Sequence, residues 1–489
     1  MNHHIAVLGG GLTGLSSAFH LSRRFPEASI TLLEKGSHLG GWVSSERVAV
    51  RHPDGHTGEV VLESGPRTLR PNAKSVLELI NLLGLKDSLV TTSKTSPAAK
   101  LRYLHIPESQ GLVSIPTSPL SVLSSPLRTL MVPHVLREPM TRANRPAGLT
   151  DESLDSFMTR RFGKSFAKTF GSALVHGIYA ADSRNLSVRA AFPSLWDAEE
   201  RGWGSVVRGF MVPAKQKPSQ DSSDADYELG DIPELMNSVS VFTFRDGIGT
   251  IINALINHLK QTPNVRLVTN VGVERLELID SAIQLKTSNN EVMQPTRVVS
   301  SLPLHALHKI LPETSLPYLT TNPSSSVTVI NLVFPVDPTK PQLHPPGFGY
   351  LIPRPLAGYK PTDAGILGTV FDSYQRYFAN MTVMAGGPYP ITPQQITLDS
   401  VLENLSKHLT EDSGASPKTL PEPVFARISH QASCIPTPKP GHRDRMTKLA
   451  DVLRVGPWQG RLEVIGAGVR GVSVGDCVES GKRVGVTWM

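Results

Sequence analysis

A short apolar strand followed at once by a glycine-rich turn opens the chain, and this pair of features constrains the fold most. Residues 5–8 read Ile-Ala-Val-Leu, a run typical of a buried strand. Gly9, Gly11 and Gly14 permit a tight turn, close approach of the backbone to a pyrophosphate, and close packing of a helix on the strand. Apolar residues then recur at helical spacing, so we predict a helix whose N-terminus faces the phosphates.

A second strand and an acidic residue complete this pattern. Residues 29–33 again read as a strand, and Glu34 follows it directly, about twenty positions beyond the turn, where it can hold a ribose hydroxyl. A glycine turn alone is weak evidence, whereas strand, turn, helix, strand and acidic residue in this order are strong evidence. We therefore predict that the N-terminal part binds an adenine dinucleotide.

Length and composition limit the other possibilities. The chain has 489 residues, 39% hydrophobic and 19% charged, as in globular proteins of two or three domains. Its formal net charge of +7 favours anionic lipid, a carboxylate-bearing substrate or nucleic acid. No basic run with interleaved aromatics is present, which argues against nucleic acid. Cys434 and Cys477 are far apart in sequence, so we expect reduced packing residues and neither a disulfide framework nor a metal site. The chain contains no stretch of roughly eighteen consecutive apolar residues, which a transmembrane helix would need.

Similar strand-and-turn patterns occur in the middle and near the end of the chain. Residues 462–468 read Leu-Glu-Val-Ile-Gly-Ala-Gly, and residues 471–481 continue as a turn and a helix. An unrelated surface turn is the alternative, but we favour a strand that returns to the first domain. Residues 241–301 add further strands and a helix. We therefore expect an α/β fold with a discontinuous Rossmann-like domain. Its three parts are residues 1–84, 238–304 and 441–489.

Two long insertions separate these parts. Residues 85–237 begin with proline- and serine-rich sequence and become helical through Ser153–Phe170, so we predict a mostly helical domain. Within it, residues 215–231 lack the apolar residues needed to fold, and we expect a mobile loop there. Residues 305–440 alternate short β-rich runs with Pro/Gly turns, which predicts a mixed-sheet, substrate-binding domain over a cavity.

Several sequence blocks carry a family resemblance. G-G-G-L-T-G-L at residues 9–15, L-G-G-W at 39–42 and the closing G-A-G…G-V-S-V-G-D-C-V-E-S-G are similar to the flavin amine oxidase and phytoene desaturase superfamily. Within it the chain resembles the protoporphyrinogen oxidases, because Trp42 follows the glycine pair where amine oxidases generally carry arginine. Four further blocks match that group: E-S-G-P-R at 63–67, G-I-Y-A-A-D at 177–182, G-F-G-Y-L-I-P at 347–353 and V-M-A-G-G at 383–387.

The resemblance implies FAD as the cofactor and a set of residues around it. These residues come from the glycine turn, the end of the second strand, the Gly-Gly-Trp turn, the Gly-Pro-Arg segment, the predicted strand that begins at residue 273 and the closing turn. They are Gly9, Gly10, Gly11, Leu12, Thr13, Gly14, Glu34, Lys35, Trp42, Gly65, Pro66, Arg67, Thr68, Val273, Val472, Ser473 and Val474. For Val273 the residues alone favour ordinary core packing. At Arg443 the chain departs from relatives that carry tryptophan.

The resemblance also implies a pocket for protoporphyrinogen IX. Arg102 matches an arginine that pairs with a propionate, since a planar guanidinium fits a carboxylate; a solvated strand arginine is the alternative. Phe348 and Leu351 match apolar residues that sandwich the macrocycle, and Met384 and Gly177 match others that line the pocket. Core packing explains Phe348, Leu351 and Met384 equally well, and a helix cap is the alternative for Gly177.

No catalytic side chain is assigned. His176, Tyr179 and His430 are acid–base candidates by type, but each is more often a hydrogen-bonded, partly buried side chain. The resemblance implies hydride transfer from a meso carbon to the flavin and reoxidation by O₂ to hydrogen peroxide. Three such cycles remove six electrons, as a step of haem biosynthesis. The cofactor carries this chemistry, and the protein supplies position and electrostatics.

A membrane contact is the last expectation. Residues 118–139 mix large apolar side chains with Arg128 and Arg137, and four prolines exclude one long helix but permit short helical turns at an interface. A proline-rich loop packed on the domain is the alternative. The resemblance implies monotopic attachment to the mitochondrial inner membrane, with a homodimer and hand-over to ferrochelatase as further partners. Competing hypotheses are another flavin oxidase or desaturase acting on an amine or polyene, and an inactive flavoprotein scaffold.

Overall fold

The computed structural model describes residues 3–106, 111–116, 121–122, 125–213, 227–312, 316–362, 364–410 and 418–488. Its strands are β1 His4–Leu8, β2 Ser29–Leu33, β3 Ser45–Arg51, β4 Thr57–Glu63, β5 Leu89–Ser93, β6 Tyr103–His105, β7 Leu112–Ser114, β8 Val239–Phe244, β9 Val265–Val268, β10 Val273–Ile279, β11 Ala282–Thr287, β12 Val292–Met293, β13 Arg297–Ser300, β14 Ser324–Pro335, β15 Gly349–Leu351, β16 Ile366–Tyr374, β17 Phe378–Gly386, β18 Phe425–Pro436 and β19 Leu462–Val464.

Sixteen helices are described between and beside these strands. They are α1 Leu12–Arg24, α2 Lys74–Leu82, α3 Pro97–Lys100, α4 Arg128–Arg137, α5 Leu154–Phe162, α6 Lys164–Phe166, α7 Ser172–Tyr179, α8 Val188–Ala191, α9 Pro193–Arg201, α10 Val206–Met211, α11 Ile232–Met236, α12 Gly249–Gln261, α13 Leu304–Ile310, α14 Leu398–His408, α15 His442–Val455 and α16 Val474–Arg483. A π-helical turn, Ala167–Gly171, joins α6 to α7.

A five-stranded parallel sheet draws its strands from the start, the middle and the end of the chain. The order is β19–β13–β1–β2–β9, and each neighbouring pair is parallel. Val7 lies opposite Leu32 on one side and Val299 on the other, and all three are fully buried. Because the sheet is covered on both faces, its central strands read as continuous apolar runs. The predicted discontinuous origin of this sheet is confirmed.

The first and last helices of this unit pack side by side and run in the same direction. Ser16 Oγ donates to the Val478 carbonyl oxygen at 3.0 Å, and Arg24 Nη2 donates to the Lys482 carbonyl oxygen at 3.0 Å. A Cβ on Gly481 would lie 2.6 Å from Ser16 Oγ, so glycine is needed for this close approach. Helices α1 and α16 therefore begin at the same edge of the sheet.

A second, seven-stranded sheet is mixed, with the order β18–β14–β17–β16–β15–β6–β7. Strand β15 pairs in parallel with β6 and antiparallel with β16. Strands β6 and β7 lie within residues 85–237, which the sequence analysis assigned to a helical domain. Strand β5 also lies there, and it pairs with β8 beside the parallel sheet. The structure therefore differs from the predicted boundary at residue 85, since these short strands carry too few apolar residues to show a period of two.

Residues 128–211 form a helical unit held together by buried ion pairs. Arg161 and Glu138 are paired at 2.6 Å with both side chains fully buried, and Arg160 pairs with Glu152 at 2.6 Å. Helix α4 contains Pro133. Across the part of the chain that the structure describes, no helix combines the length and the hydropathy required to cross a bilayer.

The predicted mobile loop, residues 215–231, falls mostly outside the described residues, which resume at 227. Its described end is bonded to the cofactor-side helices. The Tyr227 hydroxyl contacts Glu479 Oε2 at 3.0 Å, and the Glu228 backbone N–H donates to Glu78 Oε1 at 3.1 Å. Tyr227 and Glu228 are therefore bonded to α16 and α2, and the mobility of the loop stays a prediction.

Candidate active site

The glycine turn after β1 is held in a shape that excludes other residues. Gly9 has a φ of +96°, and a Cβ on Gly14 would lie 1.9 Å from the Gly9 carbonyl oxygen. Helix α1 begins directly after the turn, and its N-cap residue, Gly11, has no side chain to cap the helix. The N–H groups of the first helical turn therefore face the space above the strand, which suits a phosphate group.

Glu34 lies at the end of β2 and closes one side of this turn. Its Oε2 accepts the Gly10 backbone N–H at 2.7 Å, and its Oε1 accepts the Gly36 backbone N–H at 2.8 Å. A Cβ on Gly10 would lie 2.9 Å from Glu34 Cβ, so the contact depends on glycine. The carboxylate thus lies at the carboxyl ends of β1 and β2, where sheets of this type bind dinucleotides.

The segment that precedes β10 lies beside Glu34. The Val271 backbone N–H donates to the Glu34 carbonyl oxygen at 3.0 Å. A Cβ on Gly272 would lie 3.4 Å from Lys35 Cβ. Val273 is partly buried and packs on the apolar core between the parallel sheet and β10–β11. Lys35 therefore lies beside the segment that leads into Val273, whose own side chain packs in the core.

The closing turn of the chain meets the opening turn. A Cβ on Gly466 would lie 3.7 Å from Thr13 Oγ1. Helix α16 begins at Val474 behind a capping box: Ser473 Oγ accepts the Asp476 backbone N–H at 3.1 Å, and Asp476 Oδ2 accepts the Ser473 backbone N–H at 3.1 Å. One of the first N–H groups of α16 is therefore occupied by the helix's own cap.

Trp42 lies opposite the Gly-Pro-Arg segment. Gly40 and Gly41 have φ values of +115° and +61°, and the Gly40 backbone N–H donates to the Gly10 carbonyl oxygen at 2.8 Å. A Cβ on Gly65 would lie 2.2 Å from the Trp42 carbonyl oxygen, and Trp42 is 43% exposed. The Gly-Gly-Trp turn, the first glycine turn and the Gly-Pro-Arg segment therefore border one space.

Arg67 joins this space to the mixed sheet. Its Nη1 lies 2.5 Å from Asp372 Oδ1 in β16. Thr382 Oγ1 donates to the other oxygen of Asp372 at 2.6 Å, and Asn331 Nδ2 donates to Thr382 Oγ1 at 2.8 Å. Burial raises the pKa of Asp372, while the Arg67 charge and the Thr382 hydrogen bond oppose that rise. The Arg67 side chain therefore connects the cofactor side of the site to the sheet.

An apolar row crosses the mixed sheet and faces α7. Leu351 pairs with Gly368, Gly368 with Met384, and Met384 with Val329, on four adjacent strands. Directly paired residues point to the same face of a sheet, so their side chains lie in a row. A Cβ on Gly177 in α7 would lie 2.8 Å from Leu351 Cδ2. Three predicted substrate residues, Gly177, Leu351 and Met384, therefore share one apolar wall.

The other two predicted substrate residues touch each other at one end of this wall. The Arg102 guanidinium carbon lies 5.6 Å from the centroid of the Phe348 ring, and the Phe348 backbone N–H donates to the Leu101 carbonyl oxygen at 3.0 Å. Arg102 Nη1 donates to the Ala99 carbonyl oxygen at 3.0 Å. Burial and the charge of Arg70 lower the pKa of Arg102, and among the described residues no carboxylate forms an ion pair with it. A positive charge thus stands beside an aromatic ring.

Comparisons with known proteins agree with this geometry. The family model for flavin containing amine oxidoreductases matches residues 12–485. The chain is 33% identical to the protoporphyrinogen oxidase of Schizosaccharomyces pombe, covering 98% of this chain and 96% of that protein. It is 29% identical to the protoporphyrinogen oxidase of Homo sapiens, covering 100% and 98%. It is 24% identical to the coproporphyrinogen III oxidase of Bacillus subtilis, covering 98% and 96%. The chain belongs to the flavin-containing amine oxidoreductase family.

A solved structure supports the same fold. A protein of Exiguobacterium sp. 255-15 superposes with a TM-score of 0.74 at 21% identity, covering 99% of this chain and 97% of that one. Within its family, the oxidoreductase groups with the protoporphyrinogen oxidases. Its cofactor is FAD. The glycine turn, the first turn of α1 and the Glu34 carboxylate supply the small cradle, the N–H donors and the acceptor that a pyrophosphate and a ribose require.

The acid–base candidates of this oxidoreductase are all in structural contacts. Burial lowers the pKa of His176 to about 4, and both ring nitrogens have partners. Burial raises the pKa of Tyr179 to about 12. His430 Nδ1 lies 3.2 Å from Thr328 Oγ1 in the neighbouring strand. That none of these three side chains is the catalyst stays a prediction.

Three residues of the oxidoreductase site were missed from the sequence. Ser301 Oγ donates to the Leu8 and Gly9 carbonyl oxygens at 2.9 and 3.1 Å, so it holds the first glycine turn. Its position at the carboxyl end of a predicted strand was an available signal. Asp372 and Gly368 lacked such a signal, because their roles depend on pairing between strands.

The two cysteines are free thiols and half-buried. Burial raises the pKa of Cys434 to about 11 and that of Cys477 to about 11. Both cysteines are therefore unpaired packing residues, as predicted. Within the described ranges, no group of three or more His, Cys, Asp or Glu side chains is arranged to hold a metal ion.

Proposed function

We propose that this oxidoreductase oxidises protoporphyrinogen IX to protoporphyrin IX in haem biosynthesis. The macrocycle loses six electrons and six hydrogens, and three O₂ become three hydrogen peroxide. The observation that carries the proposal is the contact of Arg102 with Phe348 at the end of the apolar wall. A guanidinium that can receive a propionate, next to aromatic and aliphatic surface, suits a large apolar ring with carboxylate arms.

The residues of this chain contribute binding and orientation. Leu351, Met384 and the bare backbone of Gly177 offer apolar surface to the face of the macrocycle. Arg102 holds a propionate and so fixes the rotation of the ring in its plane. Phe348 keeps the guanidinium beside the wall. When bound, FAD supplies the acceptor for hydride from carbon and returns the electrons to O₂ as hydrogen peroxide.

The test is an aerobic assay of the flavin-loaded protein that follows porphyrin fluorescence and peroxide together. Protoporphyrinogen IX, coproporphyrinogen III and a primary amine are compared at equal concentrations. We expect porphyrin to form from protoporphyrinogen IX with three peroxides per porphyrin. Coproporphyrinogen III carries four carboxylates instead of two, so a higher kcat/KM with it would replace the proposed substrate. Turnover of the amine alone would place the enzyme with the amine oxidases. Turnover of none of the three substrates would favour the hypothesis of an inactive flavoprotein scaffold.

We also propose that the enzyme docks on an anionic membrane surface, that of the mitochondrial inner membrane. Large apolar side chains are exposed on two neighbouring segments of the helical unit. They are Leu136 at 65%, Met140 at 74%, Trp203 at 77%, Phe210 at 58% and Met211 at 80% exposure. Exposed arginines flank the first segment at positions 137 and 142. Apolar side chains next to cations are typical of helices that lie at a lipid interface.

Glu138 holds the two segments together. Its carboxylate is fully buried and accepts the Ser205 hydroxyl at 2.6 Å, the Val206 backbone N–H at 2.8 Å and the Val207 backbone N–H at 3.1 Å. Arg161 bonds the same carboxylate at 2.6 Å. These bonds support one rigid apolar surface. Residues 118–120 and 123–124 of the predicted membrane segment lie outside the described residues.

Flotation with lipid vesicles tests this docking. The triple variant Trp203→Ser, Phe210→Ser, Met211→Ser is expected to lose flotation with vesicles of mixed phosphatidylglycerol and phosphatidylcholine. The matched control is Leu356→Ser with Val455→Ser, which removes apolar residues that are 74% and 77% exposed elsewhere. Equal flotation of both variants would reject this surface. The homodimer and the hand-over to ferrochelatase stay predictions, and sedimentation with and without ferrochelatase checks both.

A further inference from the structure

Two hydrogen bonds fasten α7 to the chain that follows β15. His176 Nδ1 lies 2.7 Å from the Ile352 carbonyl oxygen. Ser172 Oγ accepts the Arg354 backbone N–H at 2.8 Å. His176 and Ser172 are four residues apart, so they lie on one face of the helix, one turn from each other. The two bonds together fix the helix lengthwise against residues 352–354.

The hydrogen positions on His176 follow from its partners. A carbonyl oxygen only accepts, so Nδ1 must carry a hydrogen and donate to Ile352. Nε2 is then the acceptor, and it lies 2.9 Å from the Tyr359 hydroxyl, which donates to it. The side chain is 3% exposed. The Ile352 carbonyl therefore selects the tautomer with hydrogen on Nδ1, and the Tyr359 hydroxyl pairs with the Nε2 lone pair that this tautomer leaves.

These bonds are adjacent in sequence to the apolar wall of the proposed substrate pocket. Gly177 follows His176, and Leu351 precedes Ile352. Leu351 Cδ2 lies 2.8 Å from the position of a Cβ on Gly177 and 2.8 Å from the position of a Cβ on Gly368. The Leu351 side chain is therefore confined between two backbones. A small shift of α7 along the strand would move it into or out of the pocket.

We propose that His176, assisted by Ser172 and supported at Nε2 by the Tyr359 hydroxyl, is a positioning residue that fixes Leu351 and so sets the width of the substrate pocket. The role in specificity rests on the proposed function. His176 acts through Leu351 and touches neither substrate nor cofactor in this role. Both ring nitrogens are engaged in hydrogen bonds within the fold.

The test compares His176→Leu with His176→Asn. Leucine leaves the Ile352 carbonyl unpaired, whereas the asparagine amide can donate from nearly the position of Nδ1. We expect His176→Leu to raise the KM for protoporphyrinogen IX about fivefold, with kcat and FAD content unchanged, because binding is weakened equally in the ground and transition states. We expect His176→Asn to restore most of the wild-type KM. Tyr359→Phe removes the hydroxyl that pairs with Nε2 and leaves the bond to Ile352 possible, so it should give an intermediate KM.

Hydrogen exchange gives a readout that does not depend on turnover. The amides of the peptide containing residues 349–354 should exchange faster in His176→Leu than in the wild type, and in His176→Asn they should exchange as in the wild type. If no porphyrinogen is turned over, the proposed function fails. The order of the exchange rates in the two variants and the wild type still tests whether His176 fastens α7. A wild-type KM together with wild-type exchange in His176→Leu would overturn the proposal. So would a loss of FAD or kcat without a change in KM.

Discussion

Arg67 and Asp372 form an ion pair, with 2.5 Å between Nη1 and Oδ1, that links the loop after β4 to strand β16 of the mixed sheet. Their side chains are 11% and 17% exposed. Asp372 lies at an irregularity of register between Phe371 and Ser373, and such a bulge re-aims a side chain. The pair therefore couples the cofactor side of the site to the substrate side.

Removing one partner of this pair should be costly. Asp372→Leu leaves a buried guanidinium without its carboxylate, so we expect the free energy of unfolding to fall by roughly 3 kcal/mol in urea titrations of the FAD-saturated enzyme. The double variant Arg67→Leu, Asp372→Leu should lose less than the sum of the two single losses. Glu403→Ala breaks an exposed pair with Lys407 and serves as the control, with no measurable change. Additive single losses would contradict the coupling.

Gly177→Ala should disturb the pocket. The new methyl group would meet Leu351 Cδ2 at 2.8 Å, and Gly368 blocks retreat on the other side. Leu351 must then turn toward the substrate, so we expect KM to rise about tenfold and stability to fall by about 1 kcal/mol. Gly171→Ala, whose Cβ would lie 3.6 Å from Met158 Cγ in ordinary contact, is the control and should leave KM unchanged. Similar KM values in the two variants would exclude a tight contact at Gly177.

Glu34→Ala should weaken FAD retention. The change removes the acceptor of the Gly10 and Gly36 backbone N–H groups as well as the proposed partner of the ribose. We expect the Kd for FAD to rise at least about tenfold, measured by flavin fluorescence on titration of the apoprotein. Glu34→Gln keeps one acceptor oxygen and should bind with intermediate affinity. Full flavin occupancy of Glu34→Ala after dialysis would refute the placement of the ribose.

Arg102→Ala should weaken substrate use while FAD stays bound. A charge-assisted hydrogen bond to a propionate is lost, so we expect kcat/KM for protoporphyrinogen IX to fall roughly tenfold to hundredfold. Arg102→Lys keeps the charge without the planar fork and should recover part of that loss. Flavin absorbance at equal protein concentration is the control for FAD content. Unchanged steady-state kinetics would remove Arg102 from the site.

Acid should destabilise the mixed sheet through His408. The Nδ1 of this buried histidine lies 2.9 Å from the Tyr350 hydroxyl, and burial, His105 and Lys407 lower its pKa from 6.5 to about 3. Because the folded pKa lies below the unfolded value, its contribution to stability is complete above pH 6.5 and is lost as the pH falls toward 3. Between pH 7.5 and 5.5 we expect this histidine to account for about 1 kcal/mol of the lost stability.

Urea titrations of the wild type and of His408→Asn at these two pH values test this. The variant has no titrating ring, so it should lose less stability on acidification. Buried histidines that do not contact His408 are common to both proteins, and their effects cancel in the difference. His105, whose ring centroid lies 4.1 Å from that of His408, is the exception. Equal losses would show that His408 is not the group that takes up the proton.

The sequence predicts the parts of this fold that depend on local order. The strand, glycine turn, helix and Glu34 follow one another within the first thirty-four residues. Their order along the chain is a known pattern, so the sequence alone predicts them. The wall of Leu351, Gly368 and Met384 depends instead on strand register. Register is set by pairing between distant segments, and a single chain does not reveal it.

Strands β6 and β7 show the same limit. They contain three residues each, too few to establish a period of two, and they lie in a region whose proline and serine content predicted irregular or helical structure. Their place in the mixed sheet comes from the parallel pairing of Leu104 with Leu351. The exposed apolar residues Trp203 and Met211 were missed for a related reason, because exposure depends on what the rest of the fold leaves uncovered.

The bond between Ser16 and Val478 spans 462 positions of sequence. On a ribosome, β1 and α1 emerge hundreds of residues before strand β19 and helix α16, which complete their sheet and their packing. The early segment must therefore wait with its apolar surface uncovered, a period in which chaperones would be expected to hold it. Flavin uptake in this design depends on residues 462–483 having been synthesised and folded onto that early segment.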